Sequence, residues 1–287
     1  MILKNNTAVV LIALHLLATI GIFKINNISK KTILLQVVLL ILSMLGITGG
    51  YHRLWAHTTY KANSILEIFY LIFGTMASQK DVIKWVREHR THHRNEEKPG
   101  DPYNISKGLF HAHVGWLLKP YDAVETNEIS KTDITDLEKN KLLVFQRKYY
   151  KILWFIFSFV ITYYIMKQWN ETPTNIFFSN ILRIVACLNL TWCINSLAHY
   201  IGDKPYNKNI EARNNNILGI LTLGEGWHNY HHSYPKDYRS SEPTKFNITT
   251  KFINLTRKLG LSKTHYYNNK QQIPIQERFN KNFYSCL

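Results

Sequence analysis

The chain has 287 residues, 46% of them hydrophobic, and a formal net charge of +16. So basic a chain has nucleic acid, anionic lipid or an acidic ligand as its ordinary partners, but its apolar residues are bunched into membrane-length runs, which argues against nucleic acid. Its three cysteines, Cys187, Cys193 and Cys286, form no CxxC pair and no evident disulfide framework, so nothing points to an oxidising compartment.

In chain order, the first apolar run is Thr7–Ile25 and the second is Thr32–Gly50. Each is long enough to cross a hydrocarbon core of about 30 Å. A cleaved signal peptide fits poorly: Lys4 is the lone basic residue ahead of the first run, no good small-residue cleavage site follows, and the second run comes at once. The two runs predict a retained hairpin turning near Asn26–Lys31. Ala62–Ser78 is apolar but broken by Glu67, which predicts a helix lying at the interface, not a fifth span. Thr135-Asp136-Leu137-Glu138 reads as a capping box opening a long helix into a third span, Lys151–Met166. The fourth run, Ile176–His199, is interrupted by Arg183, and the second hairpin turns near Asn170–Asn175.

Four spans place both termini and both long polar regions on one side. Most Lys and Arg fall there, which the positive-inside rule makes cytosolic. Lys24, Lys30 and Lys31 around the first turn run against it. The fold predicted is an all-α integral membrane protein: four transmembrane helices in two hairpins under a cytosolic helical cap. Its parts are residues 1–50 and 149–199 for the hairpins, 51–148 for the first polar region and 200–287 for the second.

Nine of the 13 histidines fall in a pattern. His52 and His57 lie in "YHRLWAH", His89, His92 and His93 in "REHRTHH", His199 ends "NSLAH", and His228, His231 and His232 lie in "GWHNYHH". Two groups share the spacing i, i+3, i+4, which lies on one helix face. The five-residue step from His52 to His57 turns an α-helix by about 140° net, so this pair grips from two flanks or the helix loosens there. Asn195 and His199 are again four apart. In the four-span arrangement all nine imidazoles reach one membrane face. His15, His111, His113 and His265 read as ordinary surface or core residues. Nine ligands exceed the four of a tetrahedral zinc and suit two metals with four or five each. No ExxH pairs mark a carboxylate-rich bundle site. Oxygen chemistry on a lipid makes iron the natural metal, while imidazole also suits zinc and copper.

Beyond the boxes, "GITGGYHRLWAHTTYKA", "HVGWLL", "DLEKNKLLVFQRKYY", "LNLTWCINSLAH" and "LGEGWHNYHHSYPKDY" resemble the membrane acyl-CoA desaturases of the stearoyl-CoA Δ9 type, from about His15 to Asn254. The resemblance implies two iron ions. One takes His52, His57, His89, His93 and His232; the other takes His92, His199, His228 and His231, with Asn195 reaching it through water. It implies O2-dependent insertion of a cis double bond into a saturated palmitoyl- or stearoyl-CoA. Electrons would come from a separate cytochrome b5 and its NADH reductase, since no HPGG haem motif is present. A location in the endoplasmic reticulum membrane follows from the resemblance and the topology. Arg87 and Glu88 (the family usually has Asp) would contact the CoA moiety and Trp192 the substrate.

Several positions depart from the family pattern. Lys119-Pro120 stands where a basic pair is usual, and Lys80 and Thr7 stand where asparagine is usual. Met44, two helical turns before His52, occupies the region that closes the family's acyl tunnel and predicts a preference for palmitoyl chains. Competing expectations are a related enzyme of the same metal class that hydroxylates or acts at another carbon, and a non-catalytic membrane scaffold. Product mass spectrometry separates the first, and intact boxes argue against the second.

Overall fold

The computed structural model describes residues 5–267, so Cys286 lies outside the described residues. Ten helices position the site: α1 (Asn5–Lys24), α2 (Lys30–Ala56), α3 (Ser64–Met76), α4 (Val82–Arg94), α5 (Ala123–Ser130), α6 (Lys141–Lys167), α7 (Pro173–Asn195), α8 (Asn216–Leu221), α9 (His228–Ser233) and α10 (Ile248–Lys258). Four of them, α1, α2, α6 and α7, are long and apolar enough to cross a membrane. Their outward positions carry exposed Ile12, Leu16, Phe23, Leu34 and Tyr164, the residues expected against lipid.

The four spans join as two hairpins. At the turns, Glu171 clasps them together: its Oε2 accepts from the Ser29 N–H at 3.1 Å and the Thr32 hydroxyl at 2.6 Å, and its Oε1 accepts from Asn175 Nδ2 at 2.8 Å. Mid-span, Gln36 of α2 donates to Ser179 and Asn180 of α7, both at 3.0 Å. Polar groups at membrane depth are tolerated when they pair inside the protein. Arg183, the interruption of the fourth run, meets the same rule only in part, since its Nε and Nη2 have no hydrogen-bond partner among the described residues. It is buried and donates to the Met76 carbonyl at the end of α3 (3.2 Å) and to the Ser43 hydroxyl (3.4 Å).

α3 runs about 20 Å for 13 residues, too short to span. Its Glu67 accepts from Asn140 Nδ2 at 3.1 Å. The third span begins ten residues earlier than its apolar core, at Lys141, and the expected capping box is absent. Thr135 lies inside a short turn, Thr135–Glu138, whose N-cap is Ile134. Isoleucine has no oxygen to accept an orphan N–H. The long helix is capped by Asn140, whose side chain accepts from the Leu142 N–H. A capping box does form elsewhere, between Asp122 and Glu125 at the start of α5. Two two-residue strands, Lys61–Ala62 and Ser262–Lys263, pair antiparallel and tie the C-terminal described segment back beside α3.

α2 departs from α-helical geometry from Gly46 to Ala56, where it widens into a π-helix. The His57 N–H bonds the His52 carbonyl at 3.0 Å, an i to i+5 bond. A π-turn brings residues five apart close to one face, so the helix loosens at the point where two histidines five apart must converge.

Candidate metal centre

Two short helices and two span ends deliver the nine imidazoles. α4 is N-capped by Asp81, which accepts from the Lys84 N–H at 3.0 Å, and it projects His89, His92 and His93 from one face. α2 supplies His52 and, at its C-cap, His57. The turn after α7 supplies His199, and α9 supplies His228, His231 and His232. These form two adjoining groups. The first holds His52, His57, His89, His93 and His231; the second holds His92, His199, His228 and His232, and the ligand atoms of each group lie within 4.8 Å of one another. A further grouping, Glu96, Glu97 and His199, shares His199 with the second.

The division between groups corrects one expectation. His231 joins the first group and His232 the second, the reverse of the assignment carried over from the resemblance. Helix geometry gives the reason. His228 and His232 are four apart and stack on one face, with their Nε2 atoms 3.1 Å apart. His231 is turned toward α2, its Nε2 3.0 Å from that of His52 and 3.1 Å from that of His93.

The donor set fits metal ions. His52 Nδ1 lies 3.0 Å from Glu225 Oε2, His92 Nδ1 2.9 Å from Asp101 Oδ1, and His232 Nδ1 2.9 Å from Glu96 Oε1. A carboxylate only accepts, so Nδ1 carries the proton and Nε2 of the neutral ring presents a lone pair. Yet Nε2 atoms face one another at close range: His57 to His89 at 2.9 Å and His199 to His228 at 3.1 Å, besides the three pairs above. Facing lone pairs repel unless a cation sits among them. Two nitrogens each about 2.1 Å from a metal, at right angles across it, are about 3.0 Å apart, which is the spacing seen.

Protonation agrees. Burial, reinforced by neighbouring imidazoles, holds His57, His89, His93, His228, His231 and His232 well below the ordinary histidine range. They are therefore neutral, the form that binds metal. For His92, burial pulls down but Asp101, with Glu96 and Glu97, outweighs it and leaves the imidazole raised. Burial pushes Glu96 up to about 7. It would also raise Glu225, but Arg53 and His52 overcome it and hold that carboxyl at about 2.

A cavity opens beside His89, lined also by Thr7, Lys80, Glu88, Thr191, Trp192 and Asn195. Of the residues expected to meet substrate, Glu88 and Trp192 line it, while Arg87 is half-buried on α4 outside this lining. Glu88 is already engaged: Lys80 Nζ reaches both its oxygens, at 2.7 and 2.9 Å, and the Tyr121 hydroxyl donates to it at 2.7 Å. Lys80 also lies 4.5 Å over the Trp116 ring and sits at φ +77°, a left-handed backbone that asparagine adopts more readily than lysine. Against Thr191, one of the lining residues, lies the Met44 sulfur, 3.7 Å from both Thr191 Oγ1 and Cys187 Sγ.

The fatty acid desaturase family model matches residues 31–241. The chain is 44% identical over 255 residues to a stearoyl-CoA desaturase of Homo sapiens and 43% identical to one of Capra hircus, covering 87% of this chain and 70% of each relative. It is 41% identical over 272 residues to stearoyl-CoA desaturase 5 of Bos taurus, covering 92% of this chain and 80% of that protein. The chain belongs to the fatty acid desaturase family.

Asn195 of this desaturase ends α7 and faces the cavity. The four histidines set aside in the sequence stay out of both groups. His15 and His113 instead meet through Asn189, at 3.1 and 3.2 Å, and both rings contact Trp192. His265 stacks on Tyr60 and His111 is buried elsewhere. What the sequence reading missed are the carboxylates that aim the imidazoles: Glu225, Asp101 and Glu96. Glu225 stands three residues before His228, inside "GEGWHNYHH", and its place there was the available signal.

Proposed function

We propose that this desaturase is an acyl-CoA Δ9-desaturase, which inserts a cis double bond into palmitoyl- or stearoyl-CoA using O2, two iron ions and electrons from cytochrome b5 and its NADH reductase. The observation that carries the reading is the adjacency of the two imidazole groups and the Trp192 cavity, with His89 belonging to both. The iron ions, when bound, would activate O2, which is the oxidant: it takes two hydrogens from the alkyl chain and two electrons from the donor and leaves as water. The chain supplies position and dryness. Nine imidazoles, those of His93 and His232 on partly buried residues and the other seven on buried ones, would hold the metals, with Asn195 beside them. Glu225, Asp101 and Glu96 hold three of the rings in the binding tautomer. The cavity walls align a featureless alkyl chain so that one carbon meets the site, which is catalysis by placement. Glu88 and Arg87 lie on the α4 side, where a CoA head would sit, and Lys80 tempers the Glu88 charge there.

The relatives named stearoyl-CoA desaturase support the substrate class. The four apolar spans and the basic character of the polar regions support a multi-pass protein of the endoplasmic reticulum with its metal face cytosolic. Expression in desaturase-deficient cells with fatty-acid profiling tests the reading. Wild type restores Δ9-unsaturated chains, and His228→Ala abolishes them without loss of folded protein. A hydroxylated product, or one unchanged by His228→Ala, would refute it. Met44, against the cavity wall, sets a preference for palmitoyl chains. Met44→Ala is expected to shift product toward stearoyl-derived chains; an unchanged stearoyl preference in both proteins contradicts that role.

A further inference from the structure

A second cavity, of about 610 Å³, lies away from the acyl site, next to the end of the fourth span. Backbone pairing builds it. Asp203 and Asn214 exchange N–H to carbonyl bonds at 3.0 and 2.8 Å, and Asn215 donates to the Gly226 carbonyl at 2.8 Å. Gly202, at φ +132°, lies so close to the Asn214 carbonyl that any Cβ would collide with it. Four cations line this cavity: Lys204, Lys208, Arg213 and Lys245, against the single carboxylate of Asp203. Glu211, nearby, pairs with Lys204 and Arg213, each at 2.8 Å. Among the described residues, neither Lys208 nor Lys245 has a carboxylate within ion-pair distance. Lys245 instead lies 5.2 Å over the ring of Trp227, which forms part of the wall.

The rim has the opposite character. α8 begins at the cavity with Asn216, and its Gly219 packs on the Trp227 ring. Its outward residues Ile217, Ile220 and Leu221 fall at i, i+3 and i+4, one face. They are 69%, 57% and 50% exposed, and Tyr200 and Ile201, directly after the span, are 59% and 52% exposed. An apolar face continuous with a membrane span cannot be meant for water, and a basic cavity behind it needs an anion. Interfacial binding has these two parts, buried apolar area and attraction to anionic lipid. An acidic protein partner would match the cations but leave the isoleucines unexplained.

We propose that this cavity seats the phosphate-bearing headgroup of an anionic phospholipid, with the outer face of α8 immersed among the acyl chains. Trp227, in the wall of this cavity, is of the residue type enriched at membrane boundaries. Because His228 follows it directly, the bound headgroup braces the chain at the start of the third histidine box.

The test is native mass spectrometry of the full-length, metal-loaded chain titrated with phosphatidylserine, phosphatidylcholine or inorganic phosphate. Phosphatidylserine is expected to bind more tightly than phosphatidylcholine, and K208Q/K245Q to lower its affinity about fivefold per cation removed while leaving phosphatidylcholine unchanged. I217S/I220S should weaken both lipids and preserve their ratio. Thermal unfolding and metal content of each variant are measured beside wild type to show that the fold is kept. Equal binding of the two lipids, or selectivity untouched by K208Q/K245Q, overturns the proposal. So does inorganic phosphate binding as tightly as phosphatidylserine. If K208Q/K245Q spares lipid selectivity but slows reduction by an acidic redox protein, the surface belongs to that protein and the lipid assignment falls.

Discussion

Glu225 does two jobs that no other carboxylate of the site combines. One oxygen faces His52 Nδ1 at 3.0 Å; the other accepts from Arg53 Nη2 at 2.6 Å and Nε at 3.1 Å. Arg53 is fully buried, and its remaining donors go to the Tyr238 carbonyl, the Thr250 hydroxyl and Asn247 Oδ1. Glu225→Gln therefore strands a buried cation, at a cost of about 3–5 kcal/mol, and removes the acceptor that orients His52. Asp101 is different: it orients His92 and otherwise takes only the Glu97 and Tyr103 N–H groups. Asp101→Asn should lower metal affinity roughly 10–100-fold with a much smaller loss of stability. Thermal unfolding and metal content, measured together, separate the two. Equal losses of stability would show that the Arg53 pair is not what makes Glu225 costly. The histidines were legible because periodicity flags them, nine rings at helical spacing. Single carboxylates have no period to betray them, and Glu225, Asp101 and Glu96 reach the site from loops and a helix end. The exchange of His231 and His232 was not decidable from spacing, since residues three and four apart share one helix face; it took the placement of α2 beside His231 to decide it.

At the scale of elements, the apolar runs located every span, because twenty or so apolar residues have few other fates. Boundaries were less legible. α6 begins at Lys141 because Asn140 caps it, and the amphipathic turns before the apolar core carry Gln146, which packs inward to bond Tyr51 and Thr75. The π-turn of α2 was foreseen only as one of two options, since a five-residue histidine step does not say which flank yields. The glycines of "GITGG" explain how the widened helix is accommodated. A Cβ on Gly46 would lie 2.3 Å from the Gly74 nitrogen of α3, a backbone atom that cannot swing aside. A Cβ on Gly74 would meet the Tyr51 ring at 2.4 Å. The two helices thus cross at a glycine contact directly before His52. Gly46→Ala should force them apart, costing about 1–3 kcal/mol and displacing His52 from its partners. The expected result is a lower unfolding temperature together with reduced metal content. A lower temperature with full metal content would mean that the strain is absorbed away from α2.

For the whole molecule, the two short turns lie at one end of the bundle and the imidazoles at the other. Glu171 closes the first end by joining Ser29, Thr32 and Asn175, with Trp169 Nε1 donating to the Thr32 hydroxyl at 2.9 Å. The histidine boxes close the second, drawing α2, α4, α9 and the end of α7 onto two metal positions. Neither hairpin holds a complete site, so correct insertion of all four spans must precede assembly of the centre. Charge sets the expected orientation: the polar regions that carry the boxes are rich in Lys and Arg, while the second short turn is not. Lys24, Lys30 and Lys31 at the first turn oppose this, so orientation is a matter for measurement. A glycosylation acceptor on a flexible insertion after Asn170 should be modified when the chain is made in microsomes. The same insertion at Gly108, where an added Cβ meets nothing within 4 Å, should stay bare when the histidine face is cytosolic, the orientation the charge distribution favours. Modification at Gly108 alone would invert the molecule and place the metal face in the lumen. Modification at both would break the four-span count, since the one crossing between them, α6, must put Gly108 and Asn170 on opposite sides. The single pattern consistent with two intact hairpins and a cytosolic donor of electrons is sugar on the turn and none beside the histidines.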